Sequence, residues 1–307
     1  MPEKRRRTTV KPPAPQDAVK SYTVTEPVQL LNFLLAKMSG KGRNSVKAVL
    51  ARGQVSVNGQ ATTAYNFPLV PGQTVAISTE KTEEKPPLMG LSIIYEDEAI
   101  LVVDKEAGLL SVASPQENEI TAYRQLTAYV RSENPQNRIF VVHRLDRDTS
   151  GVMMFAKSEE VQQTLQNNWQ DAVKERTYVA LVEGTVHKSE GTIKSWLKES
   201  STLKMYSSPQ PGDGQLAVTN YKVMQTGNGF SLLSVNLETG RKNQIRVHMQ
   251  DIGHSVAGDK KYGAKSKGIG RLGLHARLLA FTHPTTGKLM RFESPVPPVF
   301  YRFFKQH

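Results

Sequence analysis

The residues whose types and spacing could do chemistry cluster in one stretch, VVHRLDRDTSG, residues 141–151. Asp146 follows Leu145, lies between Arg144 and Arg147, and has Asp148 two positions further on. A carboxylate can serve as nucleophile, general base, metal ligand or ion-pair partner, and neighbouring cations favour its charged form. The apolar run RIFVV ahead of it predicts a strand feeding a turn that ends at Gly151. Loops at sheet edges are well placed to face a cleft. Read locally, however, the plainer assignment is an aspartate closing a turn on nearby backbone amides.

Two enzymatic readings compete with that one. DRDTS comes near the DxDxT pattern of haloacid-dehalogenase-type phosphatases, but Ser150 takes the fifth place and no parallel alternation of strands and helices follows. Asp146 and Asp148 point the same way on an extended strand and could form a glycosidase-like carboxylate pair. The stretch alone leaves turn, phosphoaspartate and carboxylate pair open.

The elements that must position it follow from composition and pattern. A chain of 307 residues can hold a substantial core and two domains. A formal net charge of +12 favours an anionic partner, nucleic acid first. There is no cysteine, which excludes disulfides and thiolate metal sites and makes the cytoplasm the simplest location. No run approaches the roughly 20 apolar residues of a membrane span, and the N-terminus lacks the apolar segment of a signal peptide.

Residues 1–22, with Arg5, Arg6 and Arg7 among several prolines, are expected to be a disordered basic tail. Residues 23–80 read as a compact module. Thr25-Glu26-Pro27 predicts a helix start, with Leu31, Leu34, Leu35 and Met38 following at helical spacing. A second helix is buried through Val46, Val49 and Leu50 and stops at Gly53, and Asn58-Gly59 signals a hairpin. Lys37, Lys41, Arg43, Lys47 and Arg52 fall here with no acid between them. Arg43 and Lys47, four apart, can share a face for phosphate contact. Residues 81–90 read as a linker and 91–307 as a second domain of α+β class with a mixed, mainly antiparallel sheet. The small domain before it is α/β.

Two sets of motifs carry resemblances. LLNFLL, the basic helix, GQVSVNG and LVPGQTVAI resemble the small S-four-type RNA-binding domain. HRLDRDTSGVMMFAK closely resembles the signature of the RluA family of RNA pseudouridine synthases. IIYEDEAILVVDKEAGLL, RTYVALVEG, LETGRKNQIRVHMQDIGHSVAGDKKYG, GLHARLLAFTHP and FESPVP resemble that family's other segments, in its order.

The resemblance implies isomerisation of uridine to pseudouridine in RNA, redox-neutral and without a cofactor. Asp146 matches the family's catalytic aspartate, Tyr178 its active-site tyrosine and Arg246 the arginine paired with the aspartate. Arg144 matches a residue expected to fill the space of the flipped nucleotide and Leu274 the apolar wall of the uracil, while Arg241, in TGRKNQIR, is expected to contact substrate phosphate. Asn243 and Glu106 depart from the family pattern, which has histidine and proline at those places. Neither removes a catalytic match, and both bear on loop shape and choice of RNA.

His143, His248, His254, His275 and His283 match no metal-ligand spacing, so structural or RNA-contact roles are expected. GDKKYGAKSKGIGRLG, residues 258–273, reads as a mobile basic loop beside RNA. The expected protein is therefore a cytoplasmic, monomeric RNA pseudouridine synthase. Its target is large-subunit ribosomal RNA, with transfer RNA as the alternative. A non-catalytic RNA-binding or ribosome-assembly factor is the reading from another class, against which intact Asp146, Tyr178 and Arg246 stand.

Overall fold

The computed structural model describes residues 19–51, 53–78, 86–113, 120–266 and 268–304. Most of the expected tail, Arg52, much of the linker and Lys267 lie outside the described residues. The chain divides into two units, Met1–Pro87 with Ala128–Gln136, and Leu88–Thr127 with Asn137–His307.

In the first unit the elements run β1 (Val19–Thr23), β2 (Val28–Gln29), α1 (Leu30–Lys37), α2 (Arg43–Ala51), β3 (Val55–Val57), β4 (Gln60–Ala61), β5 (Pro68–Leu69) and β6 (Thr74–Ser78). A four-stranded sheet has the order β1-β6-β3-β4, and β2 pairs with β5. Leu30, Leu34, Val46, Leu50, Val55 and Val75 form its core. Asn58 and Gly59, both at positive φ (49° and 81°), make the two-residue hairpin between β3 and β4. The helix expected from Thr25 begins at Leu30 instead. Pro27 lacks an N–H and biases Glu26 towards extended backbone, and Val28 and Gln29 pair with Leu69 and Pro68. The amides of Leu30 and Leu31 donate to the carbonyls of Phe67 and Tyr65, each at 2.9 Å. Two first-turn donors are thus met by carbonyls of the segment leading into β5, and Gln29 at the N-cap makes no side-chain cap.

The second unit continues with β7 (Leu91–Glu96), β8 (Ile100–Lys105), α3 (Ala122–Glu133), β9 (Phe140–Val141), β10 (Ser150–Ala156), α4 (Glu159–Asn167), α5 (Trp169–Ala172) and β11 (Val173–Glu183). Then follow β12 (Glu190–Glu199), β13 (Met205–Ser208), β14 (Gln215–Gly227), β15 (Phe230–Leu237), α6 (Gln244–Asp251), β16 (Leu274–Thr282) and β17 (Leu289–Glu293). α3 runs across the division between the two units. α4 and α5 are parted at Asn168, whose side chain donates back to the Thr164 carbonyl at 3.0 Å and so competes with helix continuation.

One 11-stranded sheet carries the order β13-β12-β14-β15-β11-β16-β10-β8-β7, with β17 on β16 and β9 on β10. Its class is α+β and its sheet mixed. β10 and β16 run parallel, and the other described pairs are antiparallel. At the parallel junction Gly151 faces Ala276 at φ 115°, and a Cβ there would lie 2.0 Å from the Ala276 carbonyl oxygen. Only glycine can occupy this position, and it ends the motif that carries Asp146. One apolar cluster gathers Ile100, Val102, Val152, Met154, Leu165 and Phe281; a second gathers Ala180, Leu233, Val235, Ile245 and Met249.

Ile245 and Met249 fasten α6 to the second cluster. On the same helix His248 is wholly buried, with Ser195 Oγ at 2.9 Å and Thr219 Oγ1 at 2.8 Å from its ring nitrogens. Burial pushes its pKa down to about 4. In the unfolded chain the value is about 6.5, so between the two the unfolded state binds more protons and stability rises with pH. This contribution is complete above about pH 6.5 and is lost as pH falls towards about 4. Melting temperatures followed across that window should fall with acid, and less steeply for His248→Gln. Parallel curves would show that His248 is not a source of the acid sensitivity.

Candidate active site

Residues 142–149 connect β9 to β10, and several backbone groups of this loop, with the His143 ring, are held from outside it. The His143 ring lies 5.1 Å from the Trp169 ring, and its Nε2 accepts the Met154 amide at 3.1 Å. Burial, with the Arg176 charge adding, lowers His143 to about 4, so a neutral imidazole does the accepting. Ser111 Oγ donates to the Leu145 carbonyl at 2.7 Å and lies 3.2 Å from the Leu145 amide. Lys105 is fully buried, and its Nζ donates to the carbonyls of Glu106 (2.9 Å), Leu109 (2.8 Å) and Arg147 (3.0 Å). All three ammonium hydrogens are thereby used. Burial first and Arg271 second lower Lys105 to about 8, against the pull of Asp148, Asp146 and Asp104. On the far side Arg271 Nη2 donates to Ser150 Oγ at 2.8 Å and to the Asp148 carbonyl at 3.3 Å. Glu106, where the family resemblance expects proline, keeps an amide that donates to the Gly90 carbonyl at 2.8 Å. A proline could not make that bond.

Asp146 projects from this loop with its side chain 31% exposed. Its Oδ2 accepts from Asn243 Nδ2 at 2.6 Å and from Arg246 Nη1 at 3.1 Å. Arg246 turns its other edge to Asp259, Nε to Oδ2 at 2.6 Å and Nη2 to Oδ1 at 2.8 Å. The Tyr262 ring centre lies 4.9 Å from the guanidinium carbon. Burial alone would lower the arginine's pKa, but the bonds and charge of Asp259, with Asp146 adding, raise it above its usual range. A guanidinium thus bridges two carboxylates, one buried to 1% exposure and one open to solvent.

Tyr178 sits on β11, opposite Val235 of β15 and Ala276 of β16. Burial raises its hydroxyl pKa, Arg176 opposes the rise and Asp146 adds to it, so the phenol stays protonated within the field of the aspartate. Leu274 opens β16, is 4% exposed and packs in the cluster that Tyr178 borders. Arg144 is exposed on the loop itself. Arg241 is tied by Nε to the Leu216 carbonyl at 3.0 Å, and no described contact brings it to Asp146. In the first unit Arg43 is exposed, while Lys47 is half-buried with Nζ 5.2 Å from the Tyr65 ring centre.

The contacts therefore join Asp146 to Arg246, and the field of Asp146 reaches Tyr178. They also bring in residues that sequence reasoning did not nominate: Lys105, Asn243, Asp259 and Tyr262. The last two lie in the stretch read as a mobile basic loop, yet Asp259 is 2% exposed and Tyr262 wholly buried. The correction has a visible cause: Asp259 and Tyr262 complete the Arg246 site, while Glu183 accepts the amides of Lys265 (2.9 Å) and Ser266 (2.7 Å). An acid and an aromatic between two glycines, in an otherwise cationic run, were the available signal. Among the described residues no group of His, Asp and Glu is arranged to hold a metal ion, and no helix is long and apolar enough to cross a membrane.

A family model described as RNA pseudouridylate synthase matches residues 99–251. The uncharacterized RNA pseudouridine synthase YlyB of Bacillus subtilis is 36% identical over 272 residues, 86% of this chain and 89% of that protein. The ribosomal large subunit pseudouridine synthase D of Neisseria meningitidis serogroup A is 32% identical over 300 residues, 91% of this chain and 79% of that protein. Among solved structures, human RNA pseudouridylate synthase domain containing 1 superposes with a TM-score of 0.55 at 26% identity, covering 69% of this chain and 86% of that one.

Breaking a buried ion pair from one side leaves an uncompensated charge and costs about 3–5 kcal/mol. Asp259→Asn leaves Asp146 as the remaining acidic partner of Arg246, so it should destabilise the second unit by less than that, about 1.5–3 kcal/mol, in denaturant unfolding. A destabilisation under about 1 kcal/mol would mean that Asp146 and solvent compensate Arg246 without the buried partner.

Proposed function

The chain belongs to the family of RNA pseudouridine synthases, and from that premise we propose that it isomerises specific uridines of large-subunit ribosomal RNA, with Asp146 as the reactive carboxylate. The observation that carries this reading is the bond from Arg246 to Asp146 Oδ2 across 100 positions of sequence. Both described donors to this carboxylate meet Oδ2, which leaves Oδ1 for substrate.

The reaction moves one bond. N1–C1′ of the glycoside breaks, the base turns, C5 bonds to C1′, C5 gives up its proton and N1 takes one. No electrons are gained or lost, and no external cofactor is called for. Asp146 acts at C1′ or otherwise assists glycosidic cleavage. Arg246, fixed by Asp259, holds the carboxylate in place throughout. Tyr178 stacks on the target base, with Leu274 walling the uracil. Burial and Asp146 raise the Tyr178 hydroxyl, against the pull of Arg176, so the tyrosine meets the base as a phenol, placed both to stack on it and to help with the C5 proton. Arg144, exposed beside Asp146, takes the space left by the extruded nucleotide, where a planar guanidinium offsets part of the unstacking cost.

Residues 23–80 serve as an S-four-type module that grips phosphates through Arg43 and Lys47, and Arg241 adds a contact near α6. An RluA-type enzyme in the cytoplasm, working as a monomer, completes this reading. Ribosomal RNA is preferred as target because a large-subunit synthase is among the relatives and aligns over nine-tenths of the chain.

Pseudouridine mapped in RNA from a deletion strain, before and after adding the protein, tests this directly. Wild type should restore modification at defined large-subunit positions, and Asp146→Ala should lower the rate by more than about 10³-fold. Restoration in transfer RNA alone would move the target. Binding without modification by both proteins would sink the catalytic reading. Removing residues 1–80 should weaken RNA binding and flatten its salt dependence by roughly 0.7–0.9 in the log–log slope for each phosphate no longer neutralised. An unchanged affinity and slope would take the phosphate-gripping role away from that module.

A further inference from the structure

Asn243 stands immediately before α6 with its backbone in the left-handed region, φ 53°. Asparagine tolerates this conformation better than most side chains because its short polar group bonds locally. Here both ends of the amide are used. Nδ2 donates to Asp146 Oδ2 at 2.6 Å, and Oδ1 accepts from the Tyr262 hydroxyl at 3.0 Å. That hydroxyl in turn lies 3.2 Å from the Met205 amide, which donates to it. The carboxylate fixes which way the amide faces. Asp146, ion-paired with Arg246, only accepts, so the amide nitrogen must turn to it and Oδ1 takes the Tyr262 hydrogen.

We infer that Asn243 is a positioning residue for Asp146: with Arg246 it saturates Oδ2 and so turns Oδ1 towards the substrate. The two donors differ in kind. Arg246 supplies charge from α6, whereas Asn243 supplies a neutral donor whose amide oxygen is held by Tyr262. A carboxylate held by one donor can swing about it; two donors from different directions on the same oxygen fix the torsion. The inference rests on the proposed role of Asp146 and adds to it a residue outside the aspartate, tyrosine and arginine set.

The surroundings define a clean substitution. Charged and titratable groups facing Asn243 are Asp146 on the loop, Arg246 on α6, and Asp259 and Tyr262 on the turn after it. Lys204 and Lys261 lie 5.4 Å and 5.9 Å from the Tyr262 ring centre, and Tyr178 and Lys105 feel the charge of Asp146. Asn243→Asp keeps the size, the tolerance for left-handed backbone and the acceptor for Tyr262. It changes one thing: the donor to Asp146 becomes a second carboxylate. Two carboxylates this close share a proton once the solution is acidic enough, and the shared O–H restores a donor.

The test has a kinetic arm and a thermal arm. In single-turnover reactions with full-length protein, Asn243→Asp should be slower than wild type by about 10²-fold near pH 8. RNA affinity should stay within about threefold, and much of the rate should return near pH 5.5. A role in folding alone would lower the rate equally at both pH values. The melting temperature of Asn243→Asp, relative to wild type, should fall between about pH 5.5 and pH 8, and that fall should vanish in an Asp146→Asn background. Wild-type rate near pH 8, or a thermal difference that persists without the Asp146 charge, would overturn the inference. If wild type itself forms no pseudouridine, the proposed function fails, and the thermal arm still decides whether Asn243 and Asp146 are coupled.

Discussion

The site depends on one guanidinium between two carboxylates. Asp259 holds Arg246 by two parallel bonds and is almost wholly buried, so the plane of the guanidinium is fixed before Asp146 is considered. That geometry is open to arginine and closed to lysine, which has no rigid fork with which to grip one acid and present another. An unpaired arginine this far from water would be costly. Asp259 offsets that cost and leaves Asp146, at the rim, partly open to solvent. The buried acid secures the charge, and the exposed acid shares it.

Around this hub the loop is fastened mostly by its own backbone. Lys105, Ser111 and Arg271 all bond carbonyls or hydroxyls of residues 145–150, and His143 accepts an amide of β10. None of these groups bonds the Asp146 carboxylate. Their effect is to make the path of the loop independent of what binds in front of it. A loop is then able to hold a side chain with the precision usually found on strands and helices.

Much of this was readable from residue order. Asp146 and Arg246 stood in motifs, and Tyr178 in an alternating strand whose pairing with β15 and β16 sets its face. Local signals also located the Asn58-Gly59 hairpin and the mixed sheet. What escaped was whatever depends on a partner distant in sequence. The start of α1 is set by amides bonding Phe67 and Tyr65, and nothing near Thr25 announces those bonds. Asp259 and Tyr262 looked like punctuation in a lysine-rich loop because their burial is created by Arg246 and Met205. Asn243 read as a departure from a pattern, since a donor has no meaning until its acceptor is in place.

The parallel junction at Gly151 also sets an order of events. Ser150 and Gly151 meet His275 and Ala276, more than a hundred positions later, and the partners of Asp146 likewise come from far downstream. Synthesis proceeds at about 5–20 residues per second, so the loop emerges roughly 5–20 s before α6 can reach it. Closing so long a segment is slow in itself. During translation the carboxylate is thus made before either the arginine or the amide that will hold it. The clamp around Asp146 can close only once residues 243–259 have been made, which ties the geometry of this loop to the last third of the polypeptide.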